Sequence, residues 1–193
     1  MGNYSIIFKG IYCDSEMTSD QASNSDEYYL ITTVWADLGG NKVTSKTTKV
    51  PGGRSVFTDV DDGESRKTEV LLYSGPARKV VVGTQLYEED FGDADATTQG
   101  IAKWAKAVED LAEGTDFTLP EAVSDRIPEI VNYIFDFDDD MVDHYQTRLF
   151  MEKRLAQLAA APAKQEFGVN YRFRTRHQGG GAHVVAYYDV LQG

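Results

Sequence analysis

The sequence feature that most constrains the fold is a succession of short runs rich in β-branched and aromatic residues, several of them followed by glycine or proline. The most strand-like run, residues 79–87, reads Lys-Val-Val-Val-Gly-Thr-Gln-Leu-Tyr. Such runs are typical of β-strands, and glycine and proline mark the turns between them. The same pattern predicts further strands at residues 4–13, 28–37, 42–50, 55–60, 69–74, 145–151, 166–177 and 182–190.

A helical stretch interrupts this series. Residues 98–113 carry apolar side chains at helical spacing and end at Gly114, and Pro120 is placed to open a second helix. We interpret this helical pair as packing material rather than as a cofactor site. A shorter helix is predicted at residues 152–161, immediately before Pro162.

Many strands with one helical interruption indicate a mainly β protein. We predict a single domain, residues 1–193, built as an antiparallel β-sandwich with the helical pair inserted around residues 97–133. The run at 42–50 mixes hydroxyl, basic and apolar residues like an exposed or edge strand. Residues 178–181, Gln-Gly-Gly-Gly, predict a hairpin turn between the last two strands.

Acidic residues are concentrated in three windows of the sequence. The chain has 31 acidic and 19 basic residues, a net charge of −12, and 15 of the acids fall within residues 14–27, 87–95 and 136–143. None of the windows contains lysine or arginine, so the negative charge is local. Calcium takes about six to eight oxygen ligands from flexible loops, and such windows match that requirement. Solvated loops without a metal are the alternative.

The third window does not form an EF-hand. Asp136, Asp138 and Asp140 alternate as at the start of an EF-hand loop. However, Met141 stands where that loop needs glycine, and Thr147 stands where it needs a bidentate glutamate. A different arrangement of calcium-binding loops is therefore expected.

Two segments resemble the calcium loops of the C-two domain family, found in synaptotagmin and protein kinase C. The run Ile-Phe-Asp-Phe-Asp at residues 134–138, followed by further acids, is similar to that family's third loop. Residues 25–30, Ser-Asp-Glu-Tyr-Tyr-Leu, are similar to the end of its first loop, and residues 86–90 compete for the third-loop role. The resemblance implies a sandwich whose acidic loops converge at one end and bind calcium, with contact to anionic lipid only through the metal.

The predicted metal ligands are carboxylates from all three windows. The resemblance implies that Asp20, Asp26, Asp136 and Asp138 bind the calcium, and that Asp140, Asp143, Asp90 or Asp93 completes the shell. The full set is Asp20, Asp26, Glu88, Asp90, Asp93, Asp136, Asp138, Asp140 and Asp143.

No motif predicts an enzyme, and we expect no catalytic residues. His144, His177 and His183 lack the spacing of zinc-binding histidines, and no Gly-x-Ser-x-Gly elbow is present. A glycosidase uses two particular carboxylates, and here too many acidic residues lie close together in the sequence for such a pair to be singled out. Cys13 ends an apolar run, which indicates a buried structural thiol.

The acidic charge also limits the partners. It disfavours nucleic acid, and no run is long and apolar enough to predict a transmembrane segment. No secretory signal is predicted, and the compartment stays open. Two functions from different classes remain: a calcium-binding module that contacts a protein partner or lipid, and an assembly subunit of a larger complex or homo-oligomer with solvated acidic loops.

Overall fold

The structure of the protein is a computed structural model that describes residues 1–16, 27–53, 55–89, 94–114, 122–123, 140–142 and 145–193. In these ranges the chain forms eleven β-strands and two α-helices. In chain order they are β1 (Gly2–Ser15), β2 (Tyr28–Gly39), β3 (Lys42–Val50), β4 (Ser65–Ala77), β5 (Lys79–Glu88), α1 (Ala94–Gly114), β6 (Asp140–Met141), β7 (Gln146–Met151), α2 (Glu152–Ala160), β8 (Lys164–Glu166), β9 (Val169–Tyr171), β10 (Phe173–Gly179) and β11 (Ala182–Gln192).

The strands form two antiparallel sheets and one small hairpin. Sheet A has the order β10-β11-β1-β4. Sheet B has the order β3-β2-β5, with β6 and β7 both paired to β5. Strands β8 and β9 pair only with each other among the described strands. The predicted antiparallel β-sandwich with a helical insertion is therefore confirmed.

The core lies between the two sheets. Alternate residues of each strand point inward, as the two-residue period of a strand requires. Phe8 and Tyr188 of sheet A pack edge to face, with ring centroids 5.5 Å apart, and Phe173 stacks on Tyr188 at 4.8 Å. Sheet B contributes Leu30 and Val82 to the same buried cluster.

A short chain of hydroxyl groups crosses this core. The Tyr188 hydroxyl of β11 donates a hydrogen bond of 3.1 Å to Thr84 Oγ1 of β5. Thr84 Oγ1 also lies 3.1 Å from Thr32 Oγ1 on the neighbouring strand β2. All three residues are fully buried, so these bonds satisfy polar groups that would otherwise be costly to bury.

Helix α1 covers the outer face of sheet B. Trp35 of β2 and Trp104 of α1 meet edge to face with ring centroids 5.2 Å apart, and Trp35 Nε1 donates to the Ala105 carbonyl over 3.1 Å. Tyr145 completes the aromatic cluster at 5.6 Å from Trp104. Its ring lies directly over Gly83, the one position in the middle of β5 without a side chain. Helix α1 of the insertion therefore packs against sheet B, as the sequence predicted.

The outer face of sheet A is only partly covered. The β8–β9 hairpin lies on it, and Val169 and Tyr171 of β9 pack against Tyr187 of β11. The rest of this face, toward the end of β1, has no covering element among the described residues. Within those residues, no helix combines the length and apolar character needed to cross a membrane.

Most of the predicted elements agree with the structure to within a few residues. The edge position of β3, the turn between β10 and β11, and the burial of Cys13 are also confirmed. Of the predicted second helix of the insertion, residues 122–123 are helical and buried, and the remainder lies outside the described residues.

Two strand predictions were wrong. Residues 166–177 do not form one strand, because Phe167 and Gly168 adopt positive φ angles of 48° and 76° and turn the chain between β8 and β9. Residues 55–60 form no strand. Phe57 makes only an isolated bridge with Tyr28, because the surrounding segment is a connection between β3 and β4.

Candidate metal-binding end of the sandwich

The backbone register brings the borders of the three acidic windows to one end of sheet B. Tyr28, which begins β2, is paired with Glu88 at the end of β5, and Glu88 is paired with Asp140 of β6. Beyond the paired residues, the Glu89 N–H donates to the Glu27 carbonyl over 2.8 Å. Three segments distant in sequence therefore start or finish side by side.

A fourth acidic segment lies at the same end and was missed in the sequence analysis. Residues 59–64, in the β3–β4 connection, contain four acids and no lysine or arginine. Asp62 Oδ1 accepts a hydrogen bond of 2.7 Å from the Glu16 N–H, just after β1, and the Gly63 N–H donates to the Cys13 carbonyl over 2.8 Å. The density of acids in this segment was the available signal in the sequence.

We call this region the acidic end. It comprises the end of β5, the described parts of the β1–β2, β3–β4 and β5–α1 connections, and the start of β6. Its acidic residues are Glu16, Glu27, Asp59, Asp61, Asp62, Glu64, Glu88, Glu89 and Asp140.

Glu88 is the predicted ligand whose side chain the structure describes. It follows Leu86 by two residues on β5, and Leu86 belongs to the core between the sheets, so Glu88 points to the inner side of the sandwich. Only 3% of Glu88 is exposed. A carboxylate buried this deeply is stable only with hydrogen bonds or a cation beside it.

One arginine neutralises part of the acidic end. Arg66 Nη2 lies 2.6 Å from Glu64 Oε2, and the same guanidinium donates to the Asp59 carbonyl. Two unit charges about 4 Å apart interact by roughly 4 kcal/mol at an effective dielectric constant near 20. Arg66 therefore offsets the charge of Glu64, one of the acids of this end.

The other predicted ligands fall in segments that the structure leaves undescribed. For Asp140 only the backbone is described, as part of β6. In the part of the chain that is described, no group of three or more His, Cys, Asp or Glu side chains is arranged to hold a metal. The ligands outside the described residues are Asp20, Asp26, Asp90, Asp93, Asp136, Asp138 and Asp143.

Comparison with known proteins does not assign the chain to a family. No protein-family model, no curated protein and no solved structure matches it. The resemblance to the C-two domain family therefore stays a prediction, drawn from the acidic segments alone.

Proposed function

We propose that this protein is a calcium-binding β-sandwich module in which loops at the acidic end coordinate the metal. The observation that carries the proposal is the in-register row of Tyr28, Glu88 and Asp140, which joins the borders of all three acidic windows around a buried carboxylate. Glu88 supplies an oxygen ligand from a rigid strand, and the flanking loops supply the remainder.

Calcium suits this arrangement better than magnesium. Calcium accepts about six to eight oxygens in variable geometry, so it tolerates ligands from several independent loops. Magnesium demands near-octahedral geometry and keeps several of its waters. In this proposal the bound calcium cancels repulsion among the carboxylates and orders the loops, which then present a surface to a protein partner or to anionic lipid.

The test is a thermal melt of chelator-treated protein, titrated with calcium and separately with magnesium. Binding at 100 times the dissociation constant adds about 2.7 kcal/mol, which raises the midpoint by about 5–10 °C for a chain of this length. We expect calcium to produce this shift and magnesium to produce much less. No shift with millimolar calcium would refute the proposal.

Two variants test where the metal binds, and a third variant serves as a control. Glu88→Gln and the double change Asp136→Asn with Asp138→Asn should each remove the calcium-dependent rise while leaving a folded metal-free protein. Asp110→Asn is the matched control, because Asp110 lies on α1 with its side chain 63% exposed and paired with Lys106, not with the acidic end. A normal calcium response in Glu88→Gln would exclude Glu88 as a ligand.

One observation favours assembly as a second candidate function. Strand β7 pairs with β5 along one edge, and no described strand pairs with its other edge. Leu149 and Met151 on this strand are 47% and 50% exposed. Unprotected edge strands with exposed apolar side chains are prone to associate.

Light scattering after size-exclusion chromatography tests this candidate. If β7 mediates self-association, Leu149→Lys should convert an oligomer to a monomer, with or without chelator. A wild-type protein that is monomeric across the accessible concentration range would argue against self-association.

A further inference from the structure

A cavity of about 550 Å³ lies on the uncovered part of the outer face of sheet A, away from the calcium site proposed above. Its floor follows the register of three strands: Arg176 of β10 is paired with Val185 of β11, which is paired with Tyr12 of β1. The turn of the β8–β9 hairpin forms one wall. We call this cavity the sheet A groove. Its volume is in the range of small-molecule sites, about 300–1,000 Å³.

Strand β10 and the residue just before it place three arginines on this outer face. Arg172, Arg174 and Arg176 alternate with inward-facing residues, so they form one row. Two members of the row hold carboxylates: Arg172 pairs with Asp189, and Arg174 pairs with Glu166.

Arg176 is the exception in the row. It is exposed and lines the groove, and its guanidinium has no hydrogen-bond or ion-pair partner among the described residues. Arginine donates two parallel hydrogen bonds to a carboxylate, as a planar fork. The row therefore presents a third carboxylate-binding position, which no residue of the described ranges occupies.

An exposed aromatic ring stands at the rim of the groove. Phe167 is 54% exposed, and its ring stacks on Tyr12 with centroids 3.5 Å apart and planes 1° apart. Its φ of 48° lies in the left-handed region, which costs a bulky residue about 1–2 kcal/mol, and asparagine or glycine would fit this turn better. The turn therefore holds an aromatic ring at the rim against a backbone cost.

The other polar side chains that line the groove differ in charge from one part of the groove to another. Glu166 is already engaged by Arg174, and the Tyr187 hydroxyl lies 3.4 Å from it. Gln178 and His183, a cross-strand pair, line the groove beyond Arg176, and Asp14 lies farther toward the acidic end. An anionic group is therefore favoured at Arg176 and disfavoured near Asp14.

We propose that the sheet A groove binds a small cyclic carboxylic acid. The ligand carboxylate forms the fork with Arg176, and the ring lies over Val185 against the Tyr12–Phe167 wall. Polar substituents reach Gln178 and His183. This inference does not depend on calcium or on the acidic end. An aromatic acid and an acidic sugar share this chemistry, and the choice of probe distinguishes them.

The experiment is an NMR titration of the full chain in chelator, with benzoate and D-glucuronate as probes and benzamide and glucose as their neutral counterparts. We expect a carboxylate probe to shift the amide signals of β10, β11 and the β8–β9 turn, and the neutral counterparts to leave them unchanged. Preference for benzoate assigns an aromatic acid, and preference for glucuronate assigns an acidic sugar. No response to either acid up to its solubility limit overturns the proposal.

Variants separate the carboxylate fork from the aromatic wall. Arg176→Gln should weaken binding about 10- to 100-fold, the loss expected for charged hydrogen bonds. Arg154→Gln, an exposed arginine on α2, should bind as the wild type does. Phe167→Asn keeps a residue suited to the turn and should weaken binding several-fold. Wild-type affinity in Arg176→Gln would equally overturn the proposal.

Discussion

The two outer faces of the sandwich contrast sharply. Helix α1 seals the face of sheet B, where Trp35, Trp104 and Tyr145 pack against one another. Within the described ranges, the face of sheet A is covered only where the β8–β9 hairpin lies, and Arg176 and Phe167 are exposed around a cavity. One face is a second hydrophobic core, and the other is available to a ligand.

The contrast shows how covering a sheet decides what its side chains do. Polar groups of the edge strand also bond to α1: Ser45 of β3 donates to the Glu109 carboxylate of the helix over 2.7 Å, and the Val43 N–H donates to Glu113 over 2.9 Å. These bonds fasten the helix to the edge strand. On the uncovered part of sheet A, the guanidinium of Arg176 has no such internal use among the described residues, and its substitution should affect binding more than folding.

The largest expected effect is from Trp104→Ala, which removes the centre of the covered face. Truncating a buried tryptophan costs about 3–5 kcal/mol, because it leaves a cavity between helix and sheet. Phe167→Asn, its counterpart on the open face, should change stability by about 1 kcal/mol or less, since relief of backbone strain offsets the lost stacking. Urea unfolding of both variants checks this. Similar losses in both would show that the two faces do not differ in this way.

Gly83→Ala should have the next largest effect. A Cβ atom at this position would lie 2.3 Å from Cε1 and the hydroxyl oxygen of Tyr145, so the ring must move away from β5. Overpacking of this kind costs about 1–3 kcal/mol. The double variant Gly83→Ala with Tyr145→Leu measures the coupling. If the alanine costs the same with leucine at 145, the clash with the ring is not its cause.

The smallest expected effect concerns alkaline pH. Burial, aided by the nearby Glu166 carboxylate, raises the pKa of Tyr187 from 10.0 to about 12. The unfolded chain loses this proton first, so the stability from Tyr187 is intact below pH 10 and is lost as the pH rises from 10 to about 12. Tyr187→Phe should flatten the fall in stability over that interval. Denaturant melts at pH 9 to 11.5 test it, and an unchanged slope would contradict the assignment.

Tyr145, on the face of sheet B that α1 covers, provides a comparison for the Tyr187→Phe experiment. Burial raises the pKa of Tyr145 as well, and this residue stays in place in the Tyr187→Phe variant. Some alkaline destabilisation should therefore remain in that variant, from Tyr145 and also from Tyr4, Tyr73 and Tyr171, whose pKa values burial raises too.

The strand pattern predicted the fold because runs of β-branched and aromatic residues stand out in the sequence, including those of β2 and β5, which are buried on both faces. The 79–87 run became β5, the central strand of sheet B, and the 42–50 run became the edge strand β3. The hairpin at residues 164–171 was missed, because Phe167 at a positive φ is not the residue that such a turn normally uses. Where local preference is violated, sequence reasoning fails, and here the violation lies at the rim of a cavity.

The candidate sites were predicted unevenly for a related reason. Clustered acids are visible in a linear sequence, so the acidic windows were found, although the segment at 59–64 was not recognised as their neighbour. The sheet A groove depends on β1, β10 and β11, which only the folded register brings together. Alternation of Arg172, Arg174 and Arg176 was visible in the sequence. The sequence did not show which of these arginines lacks a carboxylate partner among the described residues, because Asp189 and Glu166 come from other strands.

The hydroxyl chain from Tyr188 through Thr84 to Thr32 fixes the alignment of the two sheets. Apolar layers can slide past each other at little cost, because one methyl group replaces another. A directional bond between β11 and β5 has a single satisfied position, and displacement by one residue, about 3.3 Å, would leave buried hydroxyls without partners. The three hydroxyl groups therefore hold one sheet in a fixed position relative to the other. They thereby also fix the position of the sheet B loops relative to the sheet A groove.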